Sequence, residues 1–352
     1  MMGSAGKRYR IGGAILSGLT LVLLGIGMAA PAEGACEVPV ELRATRPDPE
    51  GVPTEVRFGV MLIDLQSIND SDQSFTADIY VLARWKDPRL VAGDLPEPLA
   101  GCMIPLEDVW TPRLVVVNER EVRKAFEFKV SVGADGTVEY AQRLQGEFTT
   151  QLHLHDFPFD SHDLTLEVVA RGYSPEEVSF IPVFGGVTIA ELTITDWHVG
   201  EASAKVIGRY VEPRDSTIAS VVFRTPVRRR LGFYTLKTFL PLALIVCMSW
   251  AVFWIKPGLL PPQIGVSTSA ILTLIAFQFS LGYMLPRLSY LTRADRFLIG
   301  STLLVFLAFG EALRTSYLAN RDQEERALRI DKISRLLFPS LFVVLLIISF
   351  VF

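Results

Sequence analysis

Three histidines stand close together in the middle of the chain with acids around them: His153, His155 and Asp156, then Asp160, His162 and Asp163. On a strand, His-x-His puts both rings on one face, the geometry by which zinc enzymes hold a metal that activates water. Read alone, this stretch describes a metal-dependent hydrolase or a modulatory metal site. Hydrolytic zinc needs a third protein ligand, and no third position is fixed here by spacing. No metal ligand is therefore assigned, and no covalent chemistry is expected elsewhere.

A second chemistry, ion permeation, is suggested by residues 261–286. The stretch is long enough to cross a bilayer as a helix, at about 1.5 Å per residue against a core of about 30 Å. At about 3.6 residues per turn, one stripe reads Pro261, Gly265, Ser269, Leu272, Ala276, Phe279 and Tyr283. Its first half is small or hydroxylated and its second half apolar, and Ser267, Thr268 and Thr273 add further hydroxyls. Lipid offers hydroxyls no partners, so this helix faces protein or water. A wettable segment followed by an apolar constriction suits a pore that closes by dewetting. A helix packed in a bundle, with small residues easing close approach, is the alternative that the stretch alone leaves open.

The elements that must position these residues follow from composition. The chain has 352 residues, 50% hydrophobic and 20% charged, and a mean hydropathy of +0.34. That is too apolar for an ordinary soluble protein and too charged for one wholly within a membrane. The net charge of −4, without a basic patch interleaved with aromatics, gives no sign of a nucleic-acid partner. Lys7, Arg8 and Arg10 precede an apolar run and then Ala30-Pro31-Ala32, the pattern of a secretory signal peptide over residues 1–32; an uncleaved anchor is the alternative. Cys247 sits in an apolar run. Cys36 and Cys102 fall in the exported part, where they can pair or remain free thiols.

Residues 33–230 are rich in β-branched types, with turn signals at short intervals, as in Asn69-Asp70-Ser71-Asp72 and Asp135-Gly136. Alternation is clear at 75–81 and 163–168. Many short strands at such spacing predict an all-β, immunoglobulin-like sandwich outside the membrane. Residues 231–352 predict a four-helix transmembrane bundle with spans near 233–255, 261–284, 297–318 and 336–352. Pro241 lies inside the first span and predicts a bend. Export of the sandwich places Lys256 and the charged link 320–335 on the cytoplasmic side. That link carries Arg321, Arg326, Arg329, Lys332 and Arg335, as the positive-inside rule asks.

Several local motifs appear in one order: Trp85-Lys86-Asp87-Pro88-Arg89-Leu90, then Trp110-Thr111-Pro112 with Asn118, then Phe157-Pro158-Phe159-Asp160. Arg228-Arg229-Arg230, Pro241 and Leu285-Pro286 follow. Together with the order of sandwich and spans, the mature chain resembles the pentameric ligand-gated ion channels, the Cys-loop receptor superfamily. Arg113 stands where that family has an acid. Thr150 and Leu164 stand where its loop cysteines would be, which resembles the prokaryotic members, as does the short cytoplasmic link.

The resemblance implies a homopentameric ring around a central pore in the plasma membrane, with a small-molecule agonist bound between subunits and small inorganic ions passing through. It implies a gating interface of Asp160 and Arg229, with Asp70 or Asp72 and Phe159, pushing on Pro286 and Arg287; a static salt bridge between domains is the plainer alternative. It implies an agonist site near Tyr80, Arg171, Tyr173 and Tyr210. Val117 replaces an aromatic there, and Arg171 stands where many members have one. An amine agonist wants aromatic faces and no nearby cation. Arg171 thus points to an anionic or zwitterionic ligand, or else is a solvated surface charge.

Ion choice is read from charge. Residues 216–294 hold no Asp or Glu, but they hold Arg224, Arg228, Arg229, Arg230, Lys237, Lys256, Arg287 and Arg293. Cation channels of this type place carboxylate rings at the pore mouth. Pro261 with Gly265, and Leu272-Thr273-Leu274, resemble the anion-conducting glycine and GABA receptors. Chloride is expected, with Leu272 as the main gate helped by Ala276 and Phe279. A cation-selective pore, its acids supplied by the outer vestibule, and a non-conducting membrane-anchored β-sandwich receptor are the alternatives.

Overall fold

The computed structural model describes residues 36–48, 50–91, 99–183, 192–281 and 289–351. The signal-peptide reading of residues 1–32, and Tyr283, Pro286 and Arg287, lie outside the described residues.

The alternating stretches form long strands. β1 (Thr54–Asn69) and β2 (Ser74–Lys86) pair antiparallel, closing at Asn69 opposite Ser74. The turn is held by the Asn69 side chain, whose oxygen accepts from the Ser71 and Asp72 amides. Along β2 the residues Phe75, Ala77, Ile79, Val81, Ala83 and Trp85 are buried, the period of two that a half-buried strand requires. β3 (Met103–Pro105), β5 (Glu119–Lys124), β6 (Lys129–Val132), β7 (Thr137–Thr149) and β9 (Val178–Val183) complete this sheet, with β9 running parallel to β1.

The second sheet holds β4 (Leu114–Val116), β8 (Ser161–Ala170), β10 (Trp197–Val199), β11 (Ser203–Val211) and β12 (Ser216–Arg229). The two sheets bury one core between them. Phe58 of β1 meets Phe223 of β12 across it, with ring centroids 5.8 Å apart, and Phe180 of the neighbouring β9 within its own sheet at 6.2 Å, while Trp85 meets Trp110 edge to face. Cys36 and Cys102 form a disulfide that staples the start of the domain to the segment before β3.

Four helices are long and apolar enough to cross a membrane: Gly232–Trp254, Leu260–Leu281, Arg293–Ala319 and Glu324–Phe350. Just before Pro241 the first span has a π-helical turn, Thr235–Phe239. Proline brings no N–H, and a widened turn accommodates the unpaired carbonyl. The third span opens with a capping box, Thr292 and Asp295 bonding each other's backbone amides.

The fourth span corrects the sequence reading. Residues 324–335, read as part of a charged link, are the first turns of that helix. Ala327, Asp331, Ser334, Phe338 and Phe342 form its buried stripe. Helical spacing was present, but polar residues hold two of the core positions and hid it.

Candidate functional site

The loop 151–160 lies where the sandwich meets the spans. Its Leu152, Leu154 and Phe157 pack with Ala294 of the third span in a small buried cluster. The Leu154 amide donates to the Tyr290 hydroxyl at 3.1 Å, and the Ala294 amide donates to the Phe157 carbonyl at 3.2 Å. Asp156 pairs with Arg293 at 2.8 Å, and the Phe159 ring meets Phe350 at the end of the fourth span. One loop therefore touches the ends of two spans.

Beneath the loop is a charged network. Arg229, the last residue of β12, donates Nε to Asp160 Oδ1 and Nη2 to Asp160 Oδ2, both at 2.9 Å. The same Nη2 reaches Asp70 Oδ1 at 2.8 Å. The guanidinium lies over Trp197 at 4.1 Å and Phe157 at 4.8 Å from the ring centroids, so both its edge and its face are occupied. His162 Nε2 stands 2.6 Å from Asp160 Oδ2. The side chains of Asp160, His162 and Arg229 are only 1%, 2% and 5% exposed.

Burial alone would raise the Asp160 carboxyl. Hydrogen bonds from His162 and Arg229, together with their charges, hold it below the ordinary carboxylate range instead. Burial likewise opposes the Arg229 charge, and its bonds to Asp160 and Asp70 outweigh that, so the guanidinium is held more firmly protonated. Removing one partner from such a buried cluster leaves an uncompensated charge.

The structure thus brings Asp70, Asp160 and Arg229 together and leaves Asp72 out, because the Asp72 carboxylate accepts from Asn69 Nδ2 at 2.7 Å within its own turn. It also disperses the histidines. His155 stacks on Tyr290 with centroids 3.9 Å apart, while His162 turns inward to Asp160. Among the described residues no group of three His, Cys, Asp or Glu is placed to hold a metal. Sequence reasoning missed Trp197, Tyr234 and Tyr290 as partners. Position beside Asp196 or the span ends was the only signal for them, and it specifies no contact.

The second span shows one face to its own bundle and one away from it. Pro261, Gly265, Ser269, Leu272, Ala276 and Phe279 are all exposed in the single chain, Leu272 by 61% and Phe279 by 73%. Gln263, Ser267, Ala270, Leu274 and Leu281 form the buried face. Ser267 and Gln263 therefore belong to the bundle: Gln263, read as part of the cytoplasmic mouth, bonds Ser316 of the third span. Lys256, read as lying near that mouth, is ion-paired with Glu324 at 3.1 Å.

The residues read as an agonist site occupy two separate surfaces. Tyr80 is half-buried on β2, edge-on to Phe126, in a cavity of about 380 Å³ lined also by Arg57 and Arg84. Arg84 is paired with Glu139. Tyr173 accepts from Trp110 Nε1 at 2.9 Å, and Arg113 stands 5.9 Å from its ring centroid. Tyr210 is exposed and donates to Asp215 at 2.6 Å, and Arg171 is exposed nearby in sequence to Tyr173. Asn118 fixes the intervening backbone, donating to the Thr149 and Thr165 carbonyls and accepting from the Glu167 amide.

Comparison with known proteins agrees with this arrangement. Residues 42–197 match the model for the neurotransmitter-gated ion-channel ligand binding domain, and residues 238–329 match that for the neurotransmitter-gated ion-channel transmembrane region. The gamma-aminobutyric acid receptor subunit beta-4 of Gallus gallus is 27% identical over 309 residues, which is 82% of this chain and 61% of that subunit. The chain thus spans less than two thirds of the chicken subunit's length. A proton-gated ion channel of Gloeobacter violaceus is 25% identical over 302 residues, covering 85% of this chain and 84% of that protein. With a β-sandwich joined to four apolar spans and both domain models matched in order, the chain belongs to the neurotransmitter-gated ion-channel family.

Proposed function

We propose that the chain is one subunit of a homopentameric ligand-gated ion channel of the prokaryotic type, in the plasma membrane with its sandwich outside. The observation that carries this reading is the second span. Six residues of its stripe turn away from the subunit's own bundle, and one such face per chain cannot enclose a pore alone. Five copies supply a ring. Thr150 and Leu164 leave the signature loop without its own disulfide, and the Cys36–Cys102 bridge lies elsewhere in the sandwich.

The agonist binds between subunits, where the Tyr80 surface of one faces the Tyr173 and Tyr210 surface of the next. Arg57, Arg113 and Arg171 on those surfaces favour an anionic or zwitterionic ligand. The chicken relative's name is that of a receptor for a zwitterion, gamma-aminobutyric acid. Binding is passed through Asp70, Asp160, Phe159 and Arg229 to the spans, with Pro286 and Arg287 as the receiving residues.

Chloride is the favoured ion, because residues 216–294 carry no acid. One observation favours a second reading: Glu324 sets a carboxylate against Lys256 at the cytoplasmic mouth and offsets its charge. The deciding experiment is a current–voltage recording of Leu272→Ser in planar bilayers under a potassium chloride gradient. Weakening the apolar gate opens the pore without a known agonist. Reversal near the chloride potential supports both pore and anion selectivity. Reversal near that of potassium keeps the channel and replaces the ion. A pentamer that never conducts sinks the channel reading in favour of a non-conducting receptor.

A further inference from the structure

The first span leaves the sandwich at Gly232 and ends at Trp254, so Trp254 lies at the end of the bundle away from the sandwich. Arg335 of the fourth span meets it there. The guanidinium stands 5.5 Å from the Trp254 ring centroid, and its Nε donates to the Phe253 carbonyl at 3.0 Å. One face and one edge of Arg335 are thereby fixed, while neither Nη meets an acceptor among the described residues. Asp331, one turn earlier, is buried toward the bundle and makes no ion pair with it. Lys332 is exposed and also without a partner among the described residues, whereas Lys256 is taken up by Glu324. Beyond Lys332 the same helix face continues as Leu336, Val343 and Ile347, exposed by 76%, 53% and 44%. The fourth span thus carries an unpartnered basic end above an apolar track.

We propose that Arg335, Lys332 and Trp254 form a binding site for the phosphate of an anionic phospholipid, in the leaflet at the end of the bundle away from the sandwich. A guanidinium held by Nε presents its two Nη groups as a fork, which matches two oxygens of one phosphate. Trp254, 59% exposed, has the amphipathic ring favoured at the membrane–water boundary, and its face keeps the guanidinium from turning away. Lys332 adds a second cation on the same side, so a headgroup without an ammonium of its own is preferred to a zwitterionic one. The lipid chains lie along Leu336, Val343 and Ile347. Topology alone explains basic residues in this region, but it counts charges and does not ask for an arginine clamped on a tryptophan. Which side of the membrane this leaflet faces rests on the orientation proposed above; the binding does not.

The test uses the whole protein in phosphatidylcholine vesicles that hold, in both leaflets, either phosphatidylglycerol or phosphatidylcholine with brominated chains. Bromine quenches a tryptophan that it touches, and subtracting the Trp254→Phe variant isolates the Trp254 signal. Brominated phosphatidylglycerol is expected to quench that signal several-fold more than brominated phosphatidylcholine at the same mole fraction. Arg335→Gln should lose most of the preference, and so should Arg335→Lys, which keeps the charge without the fork. Lys332→Gln, at an exposed position, should weaken it in the same direction and keeps the test open if the Arg335 variants do not fold. Arg321→Gln removes an equal charge from beside Tyr317 and should leave the preference intact. Equal quenching by the two lipids means ordinary bilayer contact, and quenching by neither means that another chain covers the surface; each overturns the proposal. So does a preference that survives at Arg335 and Lys332, or that Arg321→Gln removes equally. Glycerol 3-phosphate in solution should not relieve the quenching; relief assigns the site to a free phosphate and overturns the lipid as its occupant. No readout here needs the assembly to conduct, so failure leaves the channel reading untouched.

Discussion

Arg229 grips Asp160 with two parallel donors, Nε and Nη2, each at 2.9 Å, while Nη2 also reaches Asp70 at 2.8 Å. Asp160 belongs to the loop before β8, Asp70 to the β1–β2 turn, and Arg229 to the strand that runs into the first span. A planar fork is needed to serve two carboxylates from different elements, and an ammonium cannot do it. Arg229→Lys is therefore expected to lower the thermal midpoint of the detergent-purified protein despite keeping the charge. Arg229→Ala should cost about 3–5 kcal/mol, the usual range for breaking a buried pair. A lysine variant as stable as wild type would show that the forked geometry contributes nothing.

Leu272 and Leu274 are two residues apart on the second span and face opposite ways: 61% of Leu272 is exposed, and none of Leu274. Truncating them should separate stability from gating. Leu274→Ala leaves a cavity in the bundle and should destabilise by about 2–5 kcal/mol. Leu272→Ala removes little packing within the subunit and should fall within about 0.5 kcal/mol of wild type, while raising the current recorded without agonist. The reverse pattern would mean that the span is rotated from the orientation described.

These pairs also show what the sequence could and could not reveal. The stripe from Pro261 to Phe279 was legible because helical periodicity alone decides which residues share a face, and all six described members do lie on the unpacked side. The Asp160–Arg229 pair was reached through resemblance, since nothing local to either residue points to the other across sixty-nine positions. Asp72 looked as eligible as Asp70, and only the Asn69 side chain, capturing Asp72 within the turn, distinguishes them. His162 was visible as a histidine but suggested a metal, because spacing records ring faces and not which acid stands 2.6 Å away.

Acid should weaken the junction in a way that Asp160 controls. Burial pushes this carboxyl up, yet the bonds from His162 and Arg229 leave it below its ordinary range. A carboxyl lowered in the fold stabilises above its unfolded value, about 3.9, and that stability is lost as pH falls through the folded value. Asp78 acts in the same sense, because the Arg143 hydrogen bond lowers it against the penalty of burial. The thermal midpoint should drop steeply below about pH 4. Asp160→Asn should start lower at neutral pH and show a shallower acid limb. Parallel curves for the two proteins would remove Asp160 as a source of the acid sensitivity.

The Cys36–Cys102 bridge should contribute to the stability of the sandwich. It closes a loop with a sequence separation of 66, which includes β1, β2 and the turn between them, and so both Asp70 in that turn and Tyr80 on β2. Loop-closure entropy for that length corresponds to about 4 kcal/mol taken from the unfolded chain. The bridge is compatible with an exported domain, where the compartment keeps it oxidised. The Cys36→Ser, Cys102→Ser double variant is expected to unfold at a lower temperature by an amount close to that produced in wild type by a thiol reductant. The reductant should then have no further effect on the variant. If it lowers both proteins equally, its effect does not pass through this disulfide, and the bridge contributes no stability.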